Sequence, residues 1–262
     1  MIDIHNHLLV NVDDGPGSTV EAVDLLKQAA GQGITDVIIT PHYDEHIFMT
    51  PAEMVLEKIS HLRDVIRREQ LDIKIYPGHE VRMSPELIED LKQRHILTLN
   101  ESRYLLIELS NADLPNYLEN VMFDLQMEGY IPIIAHPERY LSFIEKKELL
   151  YRLVKKGVLI QITAGTVCGK EGKHLKNAVF KMMKDNLVHF VASDAHHRES
   201  RPFMLAEAYM EIEKILGMDY AQELQKNAVS VLKDEEILIK APRIEISNEK
   251  SRKNFLRYFK GK

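Results

Sequence analysis

The chain has 262 residues, 45% apolar and 28% charged, which excludes a disordered segment and leaves room for a sizeable buried core. The formal charge is −6, from 34 basic and 40 acidic residues, so a backbone-gripping nucleic-acid protein is disfavoured. One cysteine, Cys168, excludes an intramolecular disulfide and a cysteine-based zinc site, and no apolar run approaches the ~18 residues of a membrane span.

Short apolar runs predict seven strands, at residues 2–7, 36–41, 73–77, 104–109, 131–135, 158–163 and 188–192. Helix-period stretches lie between them. Ser18 or Thr19 caps a first helix that runs to about Gln32, with Gly33 as its stop. Thr50-Pro51 with Glu53 starts another, to about Glu69. Further helices are expected near residues 85–94, 115–128, 145–156, 174–185 and 201–216. Strands alternating with helices predict a parallel sheet covered by helices, as a barrel or a wound sheet. Residues 247–262 carry six basic residues against one acid, and Phe255, Leu256 and Phe259 can share one face of a short helix. We expect a frayed tail or docked helix there, with a partner or membrane-surface contact as the alternative. The N-terminus lacks the basic start and apolar core of a secretory signal, so a cytoplasmic location is expected.

The informative fact is where imidazoles and acids fall. Strand one carries His5 and His7, and the second ends at His42. The next three run into Glu80, Glu108 and His136, and the seventh ends at Asp194 and His196. From His7 through His42, Glu80 and Glu108 to His136 the intervals are 35, 38, 28 and 28 residues, each one strand-plus-helix unit. In a parallel barrel all strand C-termini open on one face, so these distant residues meet at one mouth. His5 and His7 point to the same side of their strand, and Asp194 and His196 repeat that spacing. Asp14 leans over the mouth from the loop after strand one.

The set holds nine side chains, five His and four carboxylates. That is too many for one ion, and it suits two or three ions with bridging carboxylates. The donor types favour manganese, iron or zinc. Three dications against four carboxylates leave an excess that complements a phosphate dianion. His46, His61, His79, His95, His174, His189 and His197 lack the strand-end position and are read as surface or structural, with His46 and His197 as candidates for the rim. No thiol phosphatase motif exists, because the sixth residue after Cys168 is His174 and not Arg. Gly165 to Lys170 is one residue short of a phosphate-cradling loop. No nucleophile elbow is present. The chemistry therefore has to come from metals.

Asp3-Ile4-His5-Asn6-His7, Thr40-Pro41-His42, Gly78-His79-Glu80, Ala135-His136-Pro137-Glu138-Arg139 and Ser193-Asp194-Ala195-His196 resemble the ordered motifs of the polymerase-and-histidinol-phosphatase (PHP) superfamily. Asp13-Asp14-Gly15-Pro16, Glu108, His136 to Arg139 and Arg201-Pro202 resemble its manganese-dependent protein tyrosine phosphatases from bacterial capsule and exopolysaccharide gene clusters. The resemblance implies a single-domain α/β fold, a distorted (β/α)7 TIM-like barrel over residues 1–240, followed by a basic tail or helix at 241–262. It implies three divalent ions, manganese first and iron or zinc next. His5, His7, Glu80 and Asp194 would hold one ion, Glu80, Glu108 and His136 the second, and Asp14, His42 and His196 the third. Arg139 and Arg201 would bind phosphate, with Arg198 competing for the second place. The implied substrates are phosphotyrosine proteins, above all the tyrosine-rich tails of bacterial kinases controlling polysaccharide synthesis. A small-molecule phosphatase, for histidinol phosphate or a nucleotide, is the alternative. A metal-dependent amidohydrolase also opens with His-x-His, but it wants a lysine where Glu108 stands. A non-catalytic, metal-stabilised interaction module is the remaining reading.

Overall fold

The computed structural model describes residues 1–44, 46–109, 114–145 and 147–243. Among the described residues nine strands form two parallel sheets. They are β1 (Ile2–Asp3), β2 (Asp36–Ile39), β3 (His42–Tyr43), β4 (Lys74–Pro77), β5 (Glu80–Arg82), β6 (Tyr104–Glu108), β7 (Ile131–Ala135), β8 (Leu159–Thr163) and β9 (Phe190–Ala192). One sheet has the order β1-β2-β4 and the other β3-β5-β6-β7-β8-β9. All seven predicted strand regions contain strand, and two are interrupted. The second is split into β2 and β3 around Thr40-Pro41, and the third continues past Gly78-His79 as β5. Pro41 and Pro77 lack the N–H that a ladder needs. Gly78 lets the chain pass closely, since a Cβ there would lie 3.1 Å from both Ile38 and Leu99.

Segment 3–7 joins the two sheets. Asp194 N donates to His5 O at 2.8 Å, and His7 N donates to Ala195 O at 2.8 Å. On its other side Thr40 N donates to Asn6 O at 2.9 Å. The register then sets the site. His42 stands beside Glu80, and Arg82 beside Glu108.

Helices alternate with the strands and cover them. The first, Thr19–Gly31, starts where Ser18 Oγ accepts from Glu21 N at 3.3 Å. Ala52–Arg68, Leu118–Met127 and Lys173–Lys184 lie where the periodicity placed them. The stretch expected at 145–156 is found as Lys147–Lys155, preceded by a separate short helix Leu141–Glu145. The last expected helix begins at Leu205, not Arg201, because residues 196–201 fold back on themselves through a His197–Arg201 bridge. Ala164–Cys168 and Met218–Leu232 were not anticipated.

Apolar packing has two layers. The larger lies between strands and helices. The smaller gathers Ile4, Ile38, Tyr104, Leu106, Ile133, Leu159 and Phe190 from all round the sheets. Ala228 and Val231 of Met218–Leu232, with Ile237, join it. That helix therefore closes the end where the strands begin. Tyr104 Oη donates to Glu235 O at 2.6 Å, and Asn100 Nδ2 to Leu232 O at 2.9 Å. The opposite end remains for chemistry. Among the described residues no helix is long and apolar enough to cross a membrane. Residues 244–262, most of the basic tail, lie outside the described residues.

Candidate metal centre

The open end brings all nine candidate side chains together. His5 and His7 extend from β1, His42 and Glu80 open β3 and β5, and Glu108 closes β6. His136 follows β7 directly, and Asp194 and His196 follow β9. His136 and Asp194 have left-handed backbones, with φ of 33° and 52°. Such strain in non-glycine residues persists where the surroundings hold it, and it clusters at functional sites. Here it falls on two of the nine.

Glu80 meets four of the imidazoles. Its Oε2 lies 3.3 Å from His5 Nε2, 3.4 Å from His7 Nε2 and 3.0 Å from His42 Nδ1. Its Oε1 lies 2.7 Å from His136 Nε2. Asp194 Oδ1 lies 3.4 Å from His5 Nε2 and 3.5 Å from His7 Nε2. Asp14 Oδ1 lies 3.1 Å from His196 Nε2 and 3.5 Å from His42 Nε2. Four clusters result: His7, Asp14, His42 and His196; His5, His7 and Glu80; His5, His136 and Asp194; His42, Glu80 and Glu108. His7, which the resemblance put with His5, also joins the Asp14 group. His136 groups with His5 and Asp194, and Glu108 groups with His42.

Supporting contacts fix which imidazole nitrogen faces inward. His5 Nδ1 donates to Gln161 Oε1 at 2.8 Å, and His7 Nδ1 to Asp13 Oδ2 at 2.7 Å. His196 Nδ1 donates to Asp194 O at 3.0 Å. In each ring the Nε2 lone pair is left for the centre, the usual device of a metal-binding histidine. Glu80 Oε2, Glu108 Oε2, His136 Nδ1, Asp194 Oδ1 and His196 Nε2 are buried and make no hydrogen bond. Buried polar atoms ordinarily find a partner, so five such atoms in one place need an explanation. Cations of imidazole and carboxylate preference supply it.

The electrostatics are divided. Burial would raise Asp194, but Arg139 and His5 hold its carboxyl well below the usual range. Burial likewise opposes Glu80, and His5, His42 and His136 overcome it. Burial pushes His136 down to about 4, helped by Arg139, and His196 to about 4, helped by His7. Neutral imidazole is the ligating form. Burial and neighbouring Glu80 push Glu108 up to about 7, which marks an excess of carboxylate at one point.

Two arginines stand at the edge. Arg139 Nη2 and Arg201 Nη2 both donate to Asp194 Oδ2, the latter at 2.6 Å. Arg201 Nη1 also lies 3.6 Å from Asp14 Oδ2. Arg198 is placed elsewhere, exposed and 3.4 Å from Asp24. Sequence reasoning passed over Gln161, Asp13 and Arg82. Gln161 is a polar residue flanked by isoleucines inside an apolar strand, which was the available signal. Asp13 also accepts from His42 N at 3.0 Å. Arg82 bridges Asp44 at 3.1 Å and Glu108 at 3.2 Å. His79 and His189 are buried and accept backbone N–H groups of Leu97 and Ile160.

The model of the family described as capsular polysaccharide synthesis, CpsB/CapC, matches residues 1–233. The chain belongs to this family. Its relatives include the putative tyrosine-protein phosphatase CapC of Staphylococcus aureus, 40% identical over 92% of this chain and 95% of that one. Tyrosine-protein phosphatase YwqE of Bacillus subtilis is 39% identical over the same shares. A crystal structure from the pair YwqE of B. subtilis and CpsB of Streptococcus pneumoniae, described as unique metal-dependent tyrosine phosphatases, matches with a TM-score of 0.91 and 39% identity. It covers 93% of this chain and 98% of that one. A beta-aspartyl dipeptidase from Fervidobacterium islandicum, 16% identical with a TM-score of 0.55 over 89% of this chain and 72% of that one, shares the fold alone.

Proposed function

We propose that this chain is a metal-dependent protein tyrosine phosphatase that hydrolyses phosphotyrosine in proteins. The observation that carries the reading is the set of buried donor atoms without hydrogen bonds at the mouth of the fold. Family membership and relatives named tyrosine-protein phosphatases set the substrate class. His5, His7, Asp14, His42, Glu80, Glu108, His136, Asp194 and His196 would hold three divalent ions, with His5, His7, His42 and Glu80 shared between groups. Manganese is favoured, and iron or zinc suits the same donors. The two sheets are read as one distorted (β/α)7 barrel, closed where segment 3–7 bonds to both neighbours. Residues 1–240 form its single domain.

When bound, the divalent ions supply an activated water and offset negative charge on the phosphoryl group. The chain's own groups do the rest. Asp13 and Gln161 hold the His7 and His5 rings in one orientation. Asp194 gathers Arg139 and Arg201 at the rim, where their remaining N–H groups suit the non-bridging phosphoryl oxygens. The leaving phenolate, with a parent pKa near ~10, needs less help from a general acid than an alkoxide does. The physiological substrates are the phosphorylated tails of bacterial tyrosine kinases in polysaccharide synthesis. The same reading places the enzyme in the cytoplasm.

The test compares substrates and excludes a thiol route at once. Metal-loaded protein is expected to release phosphate from a phosphotyrosine peptide faster than from histidinol phosphate, and faster in the Cys168→Ser variant than in chelated wild type. Cys168 is half-buried, and burial with nearby Glu207 holds its thiol at about 11, so it is a poor nucleophile. The substitution is therefore expected to leave kcat within about twofold of wild type. An inactive Cys168→Ser protein, or a preference for histidinol phosphate, would overturn the reading.

A further inference from the structure

Phe48 is not used by anything above, yet it touches the centre. Its ring stacks on His42 with centroids 5.4 Å apart and planes 10° from parallel. His42 in turn faces Glu80, Glu108 and Asp14. The loop that carries Phe48 is fixed at both ends. Asp44 and Phe48 exchange two backbone hydrogen bonds, each 3.0 Å. Arg82 holds the Asp44 carboxylate, and Thr50 Oγ1 donates to His42 O. The ring is thus located relative to the donor cluster, not free to wander.

The loop's apolar side chains are not buried in the core. Ile47 is 67% exposed and Met49 66%, and Phe48 keeps partial exposure although His42 covers one side of its ring. Three consecutive apolar residues at the rim of a polar centre are costly to leave in water. Ile47 also lines a cavity of about 470 Å3, walled further by Tyr43, Arg82, Met83 and Tyr117.

We infer that Phe48 is the aryl-recognition residue of this site: the substrate's phenyl ring packs against it while its phosphate reaches the cluster, and the neighbouring cavity receives adjoining peptide. This rests on the phosphotyrosine reading and deepens it. Aromatic rings pair favourably in offset stacks, and burial of the phenyl surface adds to that. An alkyl phosphate gains neither, so the ring discriminates between ester types. Phosphate itself does not contact it.

The experiment uses full-length, metal-loaded wild type and the variants Phe48→Ala, Phe48→Leu and Phe48→Trp. KM for a phosphotyrosine peptide, inhibition by inorganic phosphate, and metal content are measured for each. Phe48→Ala and Phe48→Leu are expected to raise KM about tenfold, with phosphate inhibition and metal content unchanged, while Phe48→Trp keeps the wild-type KM. An unchanged KM in Phe48→Ala, or full retention in Phe48→Leu, would overturn the assignment. Parallel loss of phosphate inhibition and metal would also overturn it, because Phe48 would then merely prop His42. Wild type that loads metal and does not cleave the peptide would bring down the phosphatase reading, and this inference with it. Failure confined to the variants leaves that reading standing.

Discussion

Glu80→Gln is expected to slow phosphotyrosine hydrolysis by about a thousandfold and to lower the metal content of the folded protein. Glu80 is the carboxylate that meets four imidazoles of the centre. Its two oxygens face His5, His7, His42 and His136 at 2.7 to 3.4 Å. The amide keeps the volume, so the apolar packing around it is preserved. It loses the negative charge and turns one acceptor into a donor. That donor would point at imidazole lone pairs and compete with any cation there. Near-UV circular dichroism would verify the fold, elemental analysis the loading, and peptide turnover the rate. Full loading with turnover within about threefold of wild type would remove Glu80 from the centre.

Arg139→Ala is expected to cut kcat/KM by about a hundredfold with metal content retained. Arg139 is held against Asp194 and between buried Glu138 and the mouth. Burial opposes its charge, but Asp194 and Glu138 raise its pKa, so the cation is permanent. Beyond its bond to Asp194, a permanent guanidinium beside the donor cluster is suited to meet an anion there. Inhibition by inorganic phosphate should weaken in step, since the ground-state dianion carries the same oxygens. Arg139→Lys keeps the charge without the planar fork and should recover only part of the loss. Unchanged phosphate inhibition together with lost metal would instead make Arg139 a support for Asp194.

The fold was legible to the extent that periodicity carries it. Seven apolar runs mark the seven strand regions, since strands buried on both faces read as continuous apolar segments. The interruptions at Pro41 and Gly78 were written in residue types, but their consequence depends on which neighbour needs an N–H. Met218–Leu232 escaped because its inner face is made largely of small residues, Ala221 and Ala228 beside Leu224 and Val231. A stripe of alanines is weak as a pattern and strong as a close-packed plug. Ala164–Cys168 contains Gly165, Thr166 and Val167, poor helix formers that only packing could hold in place.

The nine donors were legible for a different reason. They recur at strand ends, and topology turns sequence spacing into convergence. Spacing does not reveal orientation. Asp13 and Asp14 are adjacent, yet Asp13 lies under His7 while Asp14 leans out at the mouth, about half exposed. The pairing of His136 with His5 and Asp194 follows from a left-handed turn that no motif spells out. Gln161 was invisible as a partner until the direction of His5 Nδ1 was known.

The most direct measurement strips the protein with chelator, returns manganese in steps, and records bound metal per chain against phosphotyrosine hydrolysis. We expect no turnover in the stripped protein, binding of more than one ion per chain, and activity that rises only as the later ions bind. Full turnover by the stripped protein, or saturation of activity with no metal retained, would contradict a reaction centred on these nine side chains.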